Sequence, residues 1–87
     1  MGQDSRVSAA YTELARVLDE RGDREKAFET FQNAIKADPD NADAYYFFAR
    51  HLAADRATLN RARLAAQEYL KREPRGPYAA DAQRLLQ

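Results

Sequence analysis

The 87 residues hold one small domain; 45% apolar and 32% charged residues suit a water-exposed surface around a modest core. No apolar run approaches the ~18 residues of a membrane helix, and the absence of Cys excludes disulfides, thiolate metal sites and Cys nucleophiles. Net charge is zero but unevenly placed, −4 over residues 1–55 (11 acids, 7 bases) and +4 over residues 56–87 (3 acids, 7 bases). Seven bases without interleaved aromatics are a thin basis for nucleic-acid binding, so none is expected. No basic-then-apolar leader opens the chain, so a cytoplasmic protein is expected, the alternative being a leader cut away.

Residues 1–4 are expected to form a frayed start. Val7, Ala10, Tyr11, Leu14, Val17 and Leu18 follow helical spacing and predict a first helix over Ser5–Arg21 with that stripe buried. Gly22 ends it, and Asp23 is positioned to cap a second helix over Arg24–Ala37, with Ala27, Phe28, Phe31, Ala34 and Ile35 inward. Pro39 stops that helix, and Asn41 is a suitable N-cap for a third, from Ala42 to about Ala54, with Tyr45, Phe48, Ala49 and Leu52 buried. Leu59 to Arg72 reads as a fourth, with Thr58 or Asp55 as its cap and Ala62, Ala65, Ala66, Tyr69 and Leu70 inward. After the stiff Glu73–Pro77 break, a short helix from about Tyr78 to Leu86 buries Ala79, Ala82, Leu85 and Leu86. No stretch alternates with period 2, so no strand is expected.

The chain repeats itself. Tyr11-x-x-Leu14-Ala15-x-x-Leu18 returns 34 residues later as Tyr45-x-x-Phe48-Ala49-x-x-Leu52. Ala27-x-x-x-Phe31, Ala34 and Pro39 return 35 residues later as Ala62-x-x-x-Ala66, Tyr69 and Pro74, so one residue is inserted between Leu52 and Ala62. A fixed period in this range marks a repeat architecture. Small residues (Ala15, Ala27, Ala34, Ala49, Ala62) alternate with large ones, so that each hollow takes a neighbour's ring. The exchange of Phe31 and Ala34 for Ala66 and Tyr69 roughly keeps total volume.

These keyed positions resemble the tetratricopeptide repeat, over about residues 8–74. The resemblance implies an all-α fold of about five helices: antiparallel helix-turn-helix hairpins stacked as a short right-handed superhelix. One domain over residues 1–87 is expected, with repeats at about 8–41 and 42–76 and a capping helix at about 77–87. It also implies a non-catalytic protein–protein interaction module whose concave groove takes a partner peptide or helix. The groove residues so implied are Thr12, Arg16, Asp19 and Glu20, then Asp43, Tyr46 and Arg50. Four consecutive aromatics, Tyr45 to Phe48, exceed what one packed face can bury, which directs Tyr46 and Phe47 into the groove or onto an adjacent hairpin. An aromatic anchor flanked by Arg16 and Arg50 has the composition of a binding hot spot. Family members that hold the acidic tail of heat-shock chaperones use Lys and Asn where this chain has Thr12, Arg16 and Phe47. That argues against such a tail and leaves Arg16 and Arg50 to grip an acidic peptide.

No catalytic or metal chemistry is legible, and no cofactor is expected. His51 is the only His and is expected at the helix surface or partly packed; a lone His cannot build a His-based metal site. There is no phosphate-binding glycine loop, and neither Ser5 nor Ser8 has a base partner in view. Two repeats fall short of the three or so that usually stabilise such stacks. The alternative to a groove binder is therefore a self-associating segment, either a homo-oligomer or a piece of a longer array.

Overall fold

A computed structural model describes residues 4–87. Every regular element among them is helical: α1 (Ser5–Glu20), α2 (Arg24–Ala37), α3 (Ala42–Ala53), a single 3₁₀ turn (Arg56–Thr58), α4 (Leu59–Arg72) and α5 (Ala79–Leu85). α1 pairs with α2 and α3 with α4, while α3 also touches α1, α2 and α5 and so forms the centre of the molecule. The result is a flattened body of 35 × 29 × 18 Å. No helix among the described residues is long and apolar enough to cross a membrane.

Local chemistry sets the boundaries. Asp4 caps α1, its carboxylate accepting from the Val7 N–H at 3.1 Å, and its own N–H donates to the Ala37 carbonyl at 2.8 Å. Asp4 is therefore held in place where a frayed start was expected; residues 1–3 lie outside the described residues. Gly22 closes α1 in the left-handed region, φ 85°. The Asp23 N–H bonds the Leu18 carbonyl and the Gly22 N–H the Asp19 carbonyl, the paired bonds that satisfy a helix C-terminus. Asp38 is extended, as the residue before Pro39 must be, and α2 ends there. Asn41 caps α3 through the Ala44 N–H.

Two expected caps are absent. The side chains of Asp23 and Thr58 make no capping bond to α2 or α4. Thr58 instead donates to the Leu52 carbonyl at 2.6 Å, and Asp55 caps the 3₁₀ turn through the Ala57 N–H at 3.0 Å. The inserted residue of the second hairpin is absorbed in this tightened connection.

The small residues behave as their spacing requires. Ala15, Ala27, Ala34, Ala49, Ala62 and Ala66 are fully buried, and the rings of Phe31 and Tyr69 fill the space they leave. The face of α1 does not follow expectation. Ser8, Thr12 and Ala15 are its buried line, while Val7, Ala10, Leu14 and Val17 are exposed. The two lines are neighbours on the helix, and the smaller side chains let the α2 backbone come close. Ser8 Oγ uses that proximity to donate to the Ala34 carbonyl at 2.7 Å and accepts from Asn41 Nδ2 at 2.8 Å. One buried hydroxyl thus joins α1, the end of α2 and the cap of α3.

Candidate partner-binding groove

The concave side is lined by α1, α3 and α5. A hollow of about 270 Å³ lies between the C-terminal halves of α1 and α3, walled by Arg16, Asp19, Glu20, Arg24, Phe31, Phe47 and Arg50. A second, of about 370 Å³, continues toward α5 between Tyr46, Arg50, Asp81, Arg84 and Leu85. Arg50 belongs to both, so the two form one channel with a guanidinium at its middle.

Of the residues expected there, Arg16, Asp19, Glu20, Phe47 and Arg50 meet in the first hollow, and Tyr46 lines the second. Thr12 is buried and turned away from the surface, its hydroxyl bonded to the Ser8 carbonyl at 2.9 Å. Asp43 is exposed but lies apart, in a hollow at the N-terminal ends of α1 and α3 with Asp38, Asp40 and Glu73.

No freely exposed aromatic anchor exists: Tyr46 is 3% and Phe47 7% exposed. α3 is enclosed on several sides, so four consecutive aromatics all find cover, Tyr46 and Phe47 sharing Tyr78. Phe48 packs on Phe28 and Phe31, with ring centroids 5.5 and 5.7 Å apart. Tyr46 stacks on Tyr78 at 4.3 Å and donates its hydroxyl to Asp81 at 3.2 Å. Phe47 sits edge-on to Tyr78, and the Arg16 guanidinium covers it from the solvent side at 4.1 Å. Tyr45, half-buried, is covered by Arg72 at 4.4 Å. Burial, and then the bond to Asp81, push the Tyr46 phenol above its usual pKa; burial does the same to Tyr69. The covering side chain, Tyr78, comes from beyond the α4–α5 break, where no motif signals a role.

His51 departs furthest from expectation. It is buried among Phe28, Phe31 and Phe48, and its Nδ1 lies 2.9 Å from Asp19 Oδ1. Arg24 completes the cluster, bonding Asp19 at 3.2 Å and the His51 carbonyl at 2.8 Å. Asp19 is thus a strut between α1, α2 and α3 as well as a groove wall. Among the described residues no group of three or more His, Cys, Asp or Glu is placed to hold a metal ion.

The electrostatics centre on arginines. Arg16, Arg50 and Arg84 stand 34 residues apart in the chain, one on each concave helix. That spacing is visible in the sequence, and Arg84 is the member of the series absent from the groove that the resemblance implies. Arg16 pairs with Glu13 at 3.1 Å and Arg84 with Asp81 at 2.7 Å. Arg50 is exposed and has no carboxylate partner among the described residues. Its guanidinium carbon lies 5.9 Å from the Tyr46 ring centroid.

Paired helices of this register, packed through small residues and presenting a concave face, define a helical-repeat fold. The tetratricopeptide repeat family model matches residues 8–51, half of the chain, and the chain belongs to that family. Repeats of this family generally mediate protein–protein interaction and are typically non-catalytic. No curated protein matches the chain.

Proposed function

We propose that this chain is a single two-repeat domain, closed by α5, that binds an acidic peptide of a partner protein along the channel of Arg16, Arg50 and Arg84. The observation that carries this reading is Arg50. Its guanidinium stands where the two hollows meet, while the flanking arginines already hold carboxylates of their own chain. A guanidinium presents a planar fork that matches a carboxylate in two parallel bonds. A peptide carboxylate at Arg50 would have Leu85 on one side for apolar contact and Arg16, lying over Phe47, on the other. Its further acidic groups could exchange with Glu13 and Asp81 for the outer arginines. The buried aromatics serve here as the rigid floor rather than as anchors.

The test is an array of Asp- and Glu-rich peptides beside their Asn and Gln counterparts. Binding should favour the acidic members and weaken with salt. Arg50→Ala should weaken it by about tenfold or more, the loss of a charge-assisted contact, with helicity unchanged. Equal binding of acidic and amide peptides, or an undisturbed Arg50→Ala, would sink the reading. Self-association is the second reading, favoured by the open face of α1.

A further inference from the structure

Val7, Leu14 and Val17 are 41%, 49% and 42% exposed, and Ala10 between them is exposed as well. Their 3–4–3 spacing is that of a helix-to-helix seam. The chain itself shows what such a seam takes. Thirty-four residues on, Ala44, Phe48 and His51 occupy the register of Ala10, Leu14 and Val17, and all three are buried. They are covered by α2, whose early residue Phe28 lies over His51 near the end of α3. The covering helix therefore runs antiparallel and presents large apolar side chains. No helix fills that place on α1.

We infer that α1 packs antiparallel against α1 of a second copy of this chain, forming a two-fold homodimer. Charge selects this arrangement. Arg6, Glu13 and Glu20 fall seven residues apart along one flank of the seam. Glu13 is already paired with Arg16, whereas Arg6 and Glu20 have no ion pair among the described residues. Antiparallel docking brings Arg6 of each copy to Glu20 of the other, twice. Parallel docking would turn this flank toward the other copy's opposite flank, Tyr11 and Leu18, and leave Arg6 and Glu20 without a partner.

The rest of the surface offers no better occupant. At the opposite end the exposed residues of α5 are Ala80, Gln83 and Arg84, and Arg63 stands in the register of Phe28. Head-to-tail stacking would thus set the apolar seam against a polar surface. Leu64 is 61% exposed beside an apolar hollow formed with Ile35 and Leu52. A seam docked there would propagate without closing, whereas α1 on α1 closes at two copies. One helix face is smaller than the ~800 Å² per partner of standard interfaces, which places the dimer in the weak class with a dissociation constant on the order of micromolar or higher.

Sedimentation equilibrium from about 1 μM to about 1 mM spans that range. The wild-type mass should double as concentration rises, and Leu14→Glu should lose the doubling with its circular dichroism unchanged. Arg6→Glu and Glu20→Arg should each weaken association, and the double variant should restore it. A monomer at the highest concentration, a Leu14→Glu variant that still dimerises, or a double variant no better than the singles would overturn the inference. So would open-ended growth that Leu64→Glu abolishes. The Leu14→Glu result is independent of the groove, since Leu14 is not part of it, whereas Glu20 also walls the first hollow.

Discussion

Leu14 and Phe48 occupy the same register of the repeat, yet Leu14 is half exposed and Phe48 is buried. The same holds for Val17 and His51, where the polar member of the pair is the buried one. Side-chain type does not decide these positions; the neighbour does. α3 is packed between the first hairpin and α4 and α5, so little beyond Asp43 and Arg50 stays exposed, and even an imidazole is covered. α1 lies at an edge, so its apolar line has nothing to meet. In a stacked fold, burial belongs to the place in the stack more than to the residue.

The sharpest test of that difference compares one deletion in each helix. Phe48→Ala removes a ring packed on Phe28 and Phe31 and should cost about 3–5 kcal/mol. Leu14→Ala removes a half-exposed side chain and should lie within about 0.5 kcal/mol of wild type at concentrations where the chain is monomeric. Urea unfolding of both, at dilute protein, checks the pair. Similar costs for the two would mean that α1 is covered in solution by something besides its own hairpin.

The fold was legible from the 34-residue register and the Ala positions, because close packing tolerates few side chains there. The helix bounds followed from Gly22, Pro39 and Asn41, whose backbone chemistry is local. Which face of α1 would be buried was not legible. Hydrophobicity favoured Val7–Leu14–Val17, while the contact with α2 required small residues, and Ser8 gained a buried hydrogen bond that hydropathy does not register. At the groove, Arg16, Asp19, Glu20 and Arg50 followed from the resemblance, which assigns the first helix of each hairpin to the concave face. Arg24 and Phe31 reach it from α2, and Tyr78 shapes its floor from beyond the last break. These contacts depend on the angle between hairpins, which no spacing within one helix encodes.

The connections that follow α1 and α4 offer a second contrast. A Cβ on Gly76 would collide with the Tyr69 hydroxyl and with the Glu73 side chain. That hydroxyl is fixed, accepting from the Tyr78 N–H at 3.1 Å, so it cannot simply withdraw. Gly76→Ala should therefore cost about 1–3 kcal/mol through overpacking. A Cβ on Gly22 meets nothing, and the cost of Gly22→Ala is only the left-handed backbone, about 1–2 kcal/mol. Replacement by Asn, which tolerates that backbone, should recover part of the loss at 22 and none at 76. Thermal melts of the four variants check it.

Helix starts differ in the same way. Asn41 bonds both the α3 backbone and Ser8 of α1, so Asn41→Ala removes a cap and an inter-hairpin link and should cost about 1–2 kcal/mol. Asp23 holds the matching position before α2 without a capping bond, and Asp23→Ala should change stability by less than about 0.5 kcal/mol. An equal loss at both would mean that Asp23 does cap α2 in solution.

The smallest effect is invisible at neutral pH. Tyr46 and Tyr69, one on each helix of the second hairpin, have phenols raised above the usual value by burial. In the unfolded chain they ionise near the ordinary tyrosine value of about 10, before they do so in the fold. The unfolded state then binds fewer protons than the native state, so stability must fall as pH rises through and above that value. Below it the full contribution is present and no slope is expected from these groups. Tyr46→Phe should flatten the alkaline fall, at the cost of the bond to Asp81, and Tyr69→Phe should flatten it separately at the cost of the bond from the Tyr78 N–H. Urea midpoints between pH 8 and about 11 measure both slopes. If neither variant alters the slope, the alkaline loss lies elsewhere and the enclosure of α3 is looser than its ring contacts imply.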